Sequence, residues 1–373
     1  MKHCDVVIIG GGIIGSSIAY SLAKRGKKVA ILEKDTIAAH ASGAAGGMLG
    51  AQVEFPVHGP LVEISIASRK MFDELQPELH TLTGIDFQLR KAGMLRIAFS
   101  EEEKSLLTSQ AAWQSRLGLS AEWLEPAEVT AMEPAVSVEI AGALSLKDDT
   151  QVSAPDLSMA FAVAAARYGA EIVEQCEVTS IQHTGNRITG VETWHGIFEA
   201  DEYIIAGGAW SGKIAELLSL SLPIFPIKGE AFSAFTLPHP VQRTIYSHGC
   251  YIVPKNNHRL LVGASVKNSG FDARLTVGGM QELMAKAVRL LPALKDCPLD
   301  KTWASLRPQT EDGLPYVGRL SSFENGIIAA GHYRNGILLS PITGHLVAQI
   351  VSGETPDFPI EAFSDRRRLS SPV

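Results

Sequence analysis

The chain begins with a short apolar run, Val6-Val7-Ile8-Ile9, followed at once by Gly10-Gly11-Gly12-Ile13-Ile14-Gly15. A run of that length closed by glycines predicts a buried strand and a tight turn. Ser16 to Lys24 predicts a helix, and Val29-Ala30-Ile31-Leu32 predicts a second buried strand ending on Glu33. Similar signals return much later. Pro155-Asp156 opens a predicted helix that ends at Tyr168-Gly169, with proline in its first turn and glycine after its last. Strands are expected at 171–173 and 176–178, then a turn at Gly185-Asn186 into 188–194. Glu202–Ala206 is an apolar strand running into Gly207-Gly208-Ala209-Trp210, where a helix starts. Gly326–Gly331 is another, leading through His332-Tyr333-Arg334-Asn335-Gly336 into an apolar helix to about Val351.

Two stretches have a different texture. Residues 87–150 hold strands around a helix that starts at Ser100-Glu101-Glu102-Glu103, a capping-box pattern with Ser100 as N-cap. Residues 224–310 alternate polar and apolar, as in Phe232–Phe235 and Tyr251–Val253, and carry a helix near Gly279–Leu291. This is the pattern of an antiparallel sheet with flanking helices. The fold class expected is therefore α/β (α+β, two domains). A Rossmann-type nucleotide domain is built from 1–86, 151–223 and 311–373, and an antiparallel-sheet substrate domain is inserted as 87–150 and 224–310.

The first glycine turn carries chemistry because of its context. In a strand–G-x-G-x-x-G–helix unit, Gly10 allows the tight turn, Gly12 lets amides approach a pyrophosphate, and Gly15 lets helix and strand pack closely. The helix start by Ile13 and Ile14 offers free N–H groups and a positive dipole end. Glu33 is placed to accept from ribose hydroxyls, and its charge disfavours a 2′-phosphate, so NADP is not expected.

Composition narrows the partners. With 373 residues, 46% hydrophobic and 20% charged, the chain reads as a globular enzyme of more than one core. A net charge of −7 argues against nucleic acid. Cys4, Cys176, Cys250 and Cys297 are scattered without C-x-x-C spacing, so neither a metal site nor a disulfide framework is expected. The apolar run at 6–14 is too short to span a membrane and lacks a cleavage site, which points to the cytoplasm. Arg366-Arg367-Arg368 reads as a solvated tail.

A second strand–glycine–helix element at 326–351 suits a flavin better than a nicotinamide. The order of four segments resembles the flavoprotein amine oxidases of the D-amino-acid oxidase and sarcosine oxidase family. They are Val7–Gly15, Ser42-Gly43-Ala44-Ala45-Gly46-Gly47-Met48-Leu49, Leu306–Thr310 with Asp312-Gly313-Leu314-Pro315, and Gly331–Ile337. Within the family the chain is most similar to the glycine-oxidising branch, which feeds thiazole synthesis for thiamine. Lys228-Gly229-Glu230 and Cys250–Pro254 add to that likeness.

The resemblance implies FAD at the domain interface. It puts Glu33 and Lys34 by the adenosine ribose, Ala41, Ser42, Gly46, Gly47 and Met48 along the ribityl chain and ring, and Val178 by adenine. His332, Tyr333, Arg334, Asn335, Gly336, Ile337 and Leu338 would close over the pyrimidine side. There, amides at a helix start stabilise charge on the reduced ring. Residues 305–325 contain no cysteine, so the flavin is expected to be non-covalent. The family also implies a homo-oligomer, often a tetramer, and a possible handover to a thiazole synthase.

For the substrate, Arg307 is the best carboxylate clamp, since guanidinium offers two parallel donors. Without the motif it would read as an ion pair. Tyr251 adds a hydroxyl or is a strand aromatic of the core. Arg334 binds substrate, binds the flavin carbonyl, or makes an ion pair at the helix entry. His248 and His332 read as structural hydrogen-bonding residues rather than bases. Met48 reads as packing, and Trp303 as core, with the pocket wall as its alternative. The expected reaction is oxidation of glycine, and secondarily of sarcosine and small D-amino acids. Hydride passes to flavin N5 and dioxygen is the final acceptor, with no protein acid or base. The rival readings are a D-amino-acid or proline dehydrogenase passing electrons to a quinone, and a non-catalytic dinucleotide-binding module.

Overall fold

Buried β-branched runs assemble the first sheet. In the computed structural model, which describes residues 2–367, Lys2–Ile9 lies between Gly196–Ile205 and Val29–Leu32, all parallel. Gly326–Ala330 extends this parallel core beyond Gly196–Ile205, and Glu171–Val173 extends it beyond Val29–Leu32. An antiparallel edge strand, Tyr316–Arg319, and the hairpin Val178–Thr184/Arg187–Thr193 complete eight strands. The helices Ile13–Lys24, Pro60–Thr83, Ala154–Arg167 and Gly336–Val351 bury their apolar sides against one face.

The second eight-stranded sheet takes its strands from residues 94–146 and 224–310. Its longest pairing is antiparallel, Ile224–Phe235 against Leu299–Thr310. The contact of Thr244–Ser247 with Met94–Ala98 is parallel and joins the two stretches of sequence. Helices Glu101–Arg116 and Val277–Leu290 cover it, and Ser100 Oγ accepts from Glu103 N–H as the capping pattern predicts. A small ladder, Met48–Leu49 with Thr150–Gln151, lies apart from both sheets.

Several expectations shift. The long helix Pro60–Thr83, which runs on through Pro77, has no counterpart among the elements expected from the sequence. Cys176 and Glu177 are not strand. That segment instead ties back to the second parallel strand, with Cys176 N–H donating to Glu33 O at 2.8 Å, and the hairpin starts only at Val178. Arg367 is not a solvated tail residue. Its side chain is 6% exposed, donates to both Asp312 oxygens at 2.6 and 2.8 Å, and lies 3.8 Å from the Tyr316 ring centroid. Arg366 is exposed, and Arg368 lies outside the described residues. Among the described residues, no helix is long and apolar enough to cross a membrane.

Candidate functional site

One cavity of about 530 Å³ runs between the carboxyl ends of the parallel strands and the face of the second sheet. It holds nearly every residue expected at the site; only Gly15 and Leu338 stand behind its wall. Gly15 does the packing expected of it, since a Cβ there would fall 2.0 Å from Gly10 O. Leu338 is buried in the core under the late helix.

At the first glycine turn, Gly10 has φ +116°, and a Cβ would meet Ala206 O at 2.5 Å. Only glycine suits that position. Ile13 N–H donates to Ser42 Oγ at 2.9 Å, which brings the 41–48 segment against the helix start. Glu33 has a second task that the sequence did not reveal. Its buried carboxylate accepts from Gly11 N–H at 2.7 Å and from Asp35 N–H at 2.8 Å, holding the turn to the second strand. Each oxygen has a further lone pair, and Glu33 lines the cavity.

Beside it, the Lys34 ammonium lies 3.8 Å from the Trp210 ring centroid, and the His40 ring lies 4.5 Å from the same indole. His40 Nε2 is 2.6 Å from Asp35 Oδ2, and this hydrogen bond above all holds the Asp35 carboxyl below its usual range. Val178 borders this end. Trp210 and His40 were missed by sequence reasoning. The one signal for Trp210 was its place just after a parallel strand, where such sheets bind ligands.

At the opposite end, Gly331 has φ +83° and Tyr333, a non-glycine residue, has φ +46°. Tyr333 N–H is anchored on Pro308 O at 2.9 Å. His332 is buried, with Nε2 3.1 Å from Thr343 Oγ1, and burial pushes its ring down to about 3. It is therefore neutral near pH 7. His248 is exposed in a turn away from the cavity.

Of the alternatives for Arg334, the ion pair is present. Its Nε lies 2.8 Å from Glu54 Oε2, and one terminal nitrogen donates to Glu54 Oε1 at 3.0 Å and to the Tyr246 hydroxyl at 2.8 Å. Burial alone would depress this guanidinium's pKa, and the Glu54 charge more than reverses it. Glu54 is itself set in place by Gln52 and Val53, whose amides donate to the buried Asp149 carboxylate, the partner of Arg69. Nothing local in the sequence links these residues.

The second sheet forms the remaining wall. Arg307 pairs across the sheet with Ile227, and its guanidinium lies over Gly229, where a Cβ would be 2.3 Å from a terminal nitrogen. The other terminal nitrogen donates to Ser265 O at 3.1 Å. Tyr251 is 9% exposed and packs on Gly46 and Gly263; a Cβ at Gly46 would lie 2.9 Å from its ring. Gly47 has φ +78°, and a Cβ there would strike Val152 O at 1.9 Å. Met48 packs against the buried cluster of Tyr251, Val253 and Ala264, as Tyr246 also does, and so keeps the packing role expected of it. Of the two readings for Trp303, the structure has the pocket wall over the preferred core: it lines the cavity and donates to Ala44 O at 3.1 Å. Cys176 is the one cysteine on the wall among the described residues.

Two helix N-termini thus open on one cavity, at Ile13 and at Gly336, with glycine backbone along its sides. That donor set fits a ligand with phosphates in one half and an electron-rich ring in the other. The comparisons agree. Residues 5–350 match the family model DAO, FAD dependent oxidoreductase. The glycine oxidase of Geobacillus kaustophilus is 42% identical, over 98% of this chain and 97% of that protein. Its crystal structure superposes with a TM-score of 0.97, covering 99% of this chain and 100% of the other at 41% identity. A bifunctional protein ThiO/ThiG of Synechocystis is 34% identical over 98% of this chain, which spans 54% of that longer protein. The chain belongs to the DAO family of FAD-dependent oxidoreductases, and FAD is its cofactor.

Proposed function

We propose that this protein is an FAD-dependent glycine oxidase, acting secondarily on sarcosine and small D-amino acids. The observation that carries the reading is Arg307, a guanidinium on the wall of the same cavity that the late glycine turn enters. FAD, when bound, supplies the hydride acceptor at N5 and returns electrons to dioxygen as hydrogen peroxide. The chain supplies position. The glycine fingerprint with Glu33 and Lys34 holds the nucleotide half, and the turn 331–337 with the helix start at Gly336 holds the ring.

Arg307 binds the substrate carboxylate through two parallel N–H donors, with the Tyr251 hydroxyl beside it. With the carboxylate so held, the α-carbon of the neutral amino acid would be presented to the bound cofactor, whose chemistry is hydride acceptance. The imine then hydrolyses to an oxo acid and ammonia. His332, neutral and hydrogen-bonded to Thr343, keeps its structural role and takes no proton. Tyr246, Tyr251 and Met48 pack together beside Arg307's wall, which supports a substrate with little or no side chain. A flavin held without a covalent bond fits the cavity, whose one cysteine stands beside Val178 in the nucleotide half.

The sheet division supports a discontinuous FAD domain of 1–86, 151–223 and 311–373 with the substrate domain 87–150 and 224–310 inserted. The ThiO/ThiG likeness supports delivery of the product to thiazole synthesis. A cytoplasmic homotetramer is the expected form. Anaerobic glycine should bleach the oxidised flavin spectrum, and air should restore it with one peroxide per flavin reduced. A flavin bleached by a D-amino acid and untouched by glycine would refute the substrate assignment.

A further inference from the structure

The Lys228-Gly229-Glu230 string carries more than likeness. Glu230 is fully buried, away from the cavity, yet five groups from four residues converge on its carboxylate. Oε1 accepts from Thr276 N–H and Oγ1–H, both at 2.7 Å, and lies 3.7 Å from Lys228 Nζ. Oε2 accepts from Ser265 Oγ–H at 3.0 Å and lies 3.7 Å from Lys267 Nζ. Burial would raise its pKa, and the Thr276 and Ser265 hydrogen bonds with the Lys228 charge lower it on balance. It is a carboxylate held charged without solvent.

Thr276 is the N-cap of the helix Val277–Leu290, and a Cβ at Gly279 would lie 1.7 Å from Glu230 Oε2. The carboxylate therefore also sits at the positive end of that helix, which favours its charge. Ser265 is bound to the same residue three ways. Its hydroxyl donates to the carboxylate and accepts from Glu230 N–H at 2.9 Å, and its N–H donates to Glu230 O at 3.2 Å.

Ser265 and Thr276 are the two ends of one strap. Its middle reaches the other sheet's territory, where the Phe271 ring lies 5.6 Å from Trp210 and 3.9 Å from Lys213 Nζ. The carbonyl of Ser265, at the end nearest the cavity, is the acceptor of Arg307. One buried charge thus clips both ends of the strap and fixes the acceptor that aims the guanidinium.

We propose that Glu230 is a positioning residue for substrate binding. It acts through Ser265 to hold Arg307 in its carboxylate-binding orientation, a role that rests on Arg307 being the clamp. Glu230→Gln keeps the volume and one acceptor but removes the charge facing Lys228 and Lys267. A structural role alone would lower stability and flavin loading without separating KM from kcat.

The test is steady-state glycine oxidation by the FAD-loaded enzyme, comparing the parent, Glu230→Gln, Arg307→Lys, Arg307→Ala and the Glu230→Gln/Arg307→Lys double variant. The expected result is a glycine KM raised about tenfold in Glu230→Gln, consistent with one misdirected charge-assisted hydrogen bond, with kcat within about threefold. In the double variant the two KM effects should fall short of their product, because they act on one contact. A KM within twofold of the parent in Glu230→Gln overturns the inference while leaving the clamp standing. A parent-like KM in Arg307→Lys and Arg307→Ala removes the clamp itself and the inference with it. If Glu230→Gln does not fold, Ser265→Ala cuts the same link from its other end. A KM rise of about fivefold there upholds the inference, and one under twofold ends it.

Discussion

His332 ties acid stability to a residue on the cavity wall. Burial takes its ring from the ordinary 6.5 to about 3, so the folded chain keeps it neutral while the unfolded chain protonates it. The unfolded state then binds the extra proton, and stability falls as pH drops below 6.5. Between pH 7.5 and 5.0 the loss is about 2 kcal/mol, and it reaches about 4 kcal/mol near pH 3. Down to pH 5 the figure depends almost entirely on the unfolded ring, because the folded one stays neutral throughout. At about 2.1 cal/mol/K per residue, the unfolding entropy of this chain is roughly 0.8 kcal/mol/K, so 2 kcal/mol is a Tm shift of about 2.5 °C. His332→Gln retains a donor for Thr343 Oγ1 and removes the titration. Tm should be measured on parent and variant at pH 7.5 and 5.0 with FAD in excess. The parent should lose about 2.5 °C more than the variant over that interval. Parallel losses would refute a buried neutral ring at 332.

Other consequences are as direct. Arg307→Ala removes a two-point charge-assisted contact, so glycine KM should rise at least about 100-fold with FAD retained; near-normal steady-state kinetics would exclude Arg307 from the site. Gly12→Val places a branched side chain on the cavity wall proposed for the pyrophosphate and should purify without flavin, and a fully yellow variant would contradict that placement. Gly47→Ala forces a Cβ to within 1.9 Å of Val152 O at a left-handed backbone, and absorbance at the flavin band should show FAD loading reduced severalfold. Arg367→Ala strands the buried Asp312 and should cost about 3 kcal/mol in denaturant titration, whereas the exposed Arg366→Ala should cost under about 0.5 kcal/mol.

What could be read from the sequence was local. The glycine turn, Glu33 at the end of the next strand and the late Gly331–Gly336 turn are written in consecutive residues. Backbone geometry that only glycine supplies made them visible. The antiparallel texture of 224–310 was equally plain. What stayed hidden was built by distant contacts. Trp210 and His40 meet only because the strands they follow, Gly196–Ile205 and Val29–Leu32, flank Lys2–Ile9 in one parallel sheet, and Glu54 reaches Arg334 only because Asp149 and Arg69 pin the backbone before it. Trp303 looked like core because a tryptophan in a strand usually is. It borders the cavity because that strand lies where the two sheets meet. Glu230 gave no sign of its partners, since Ser265 and Thr276 converge on it through a strap whose course no periodicity predicts.

The parallel sheet places Gly326–Ala330 two strands away from Lys2–Ile9, with Gly196–Ile205 between them. The two helix starts that open on the cavity are therefore far apart in the order of synthesis. A chain still on the ribosome has its first glycine turn early but lacks the far half of the cavity until residues 331–337 have emerged. FAD capture is consequently a test of completion. Truncated or stalled products should present half of the cavity, leave FAD unbound and forgo the stabilisation that binding confers.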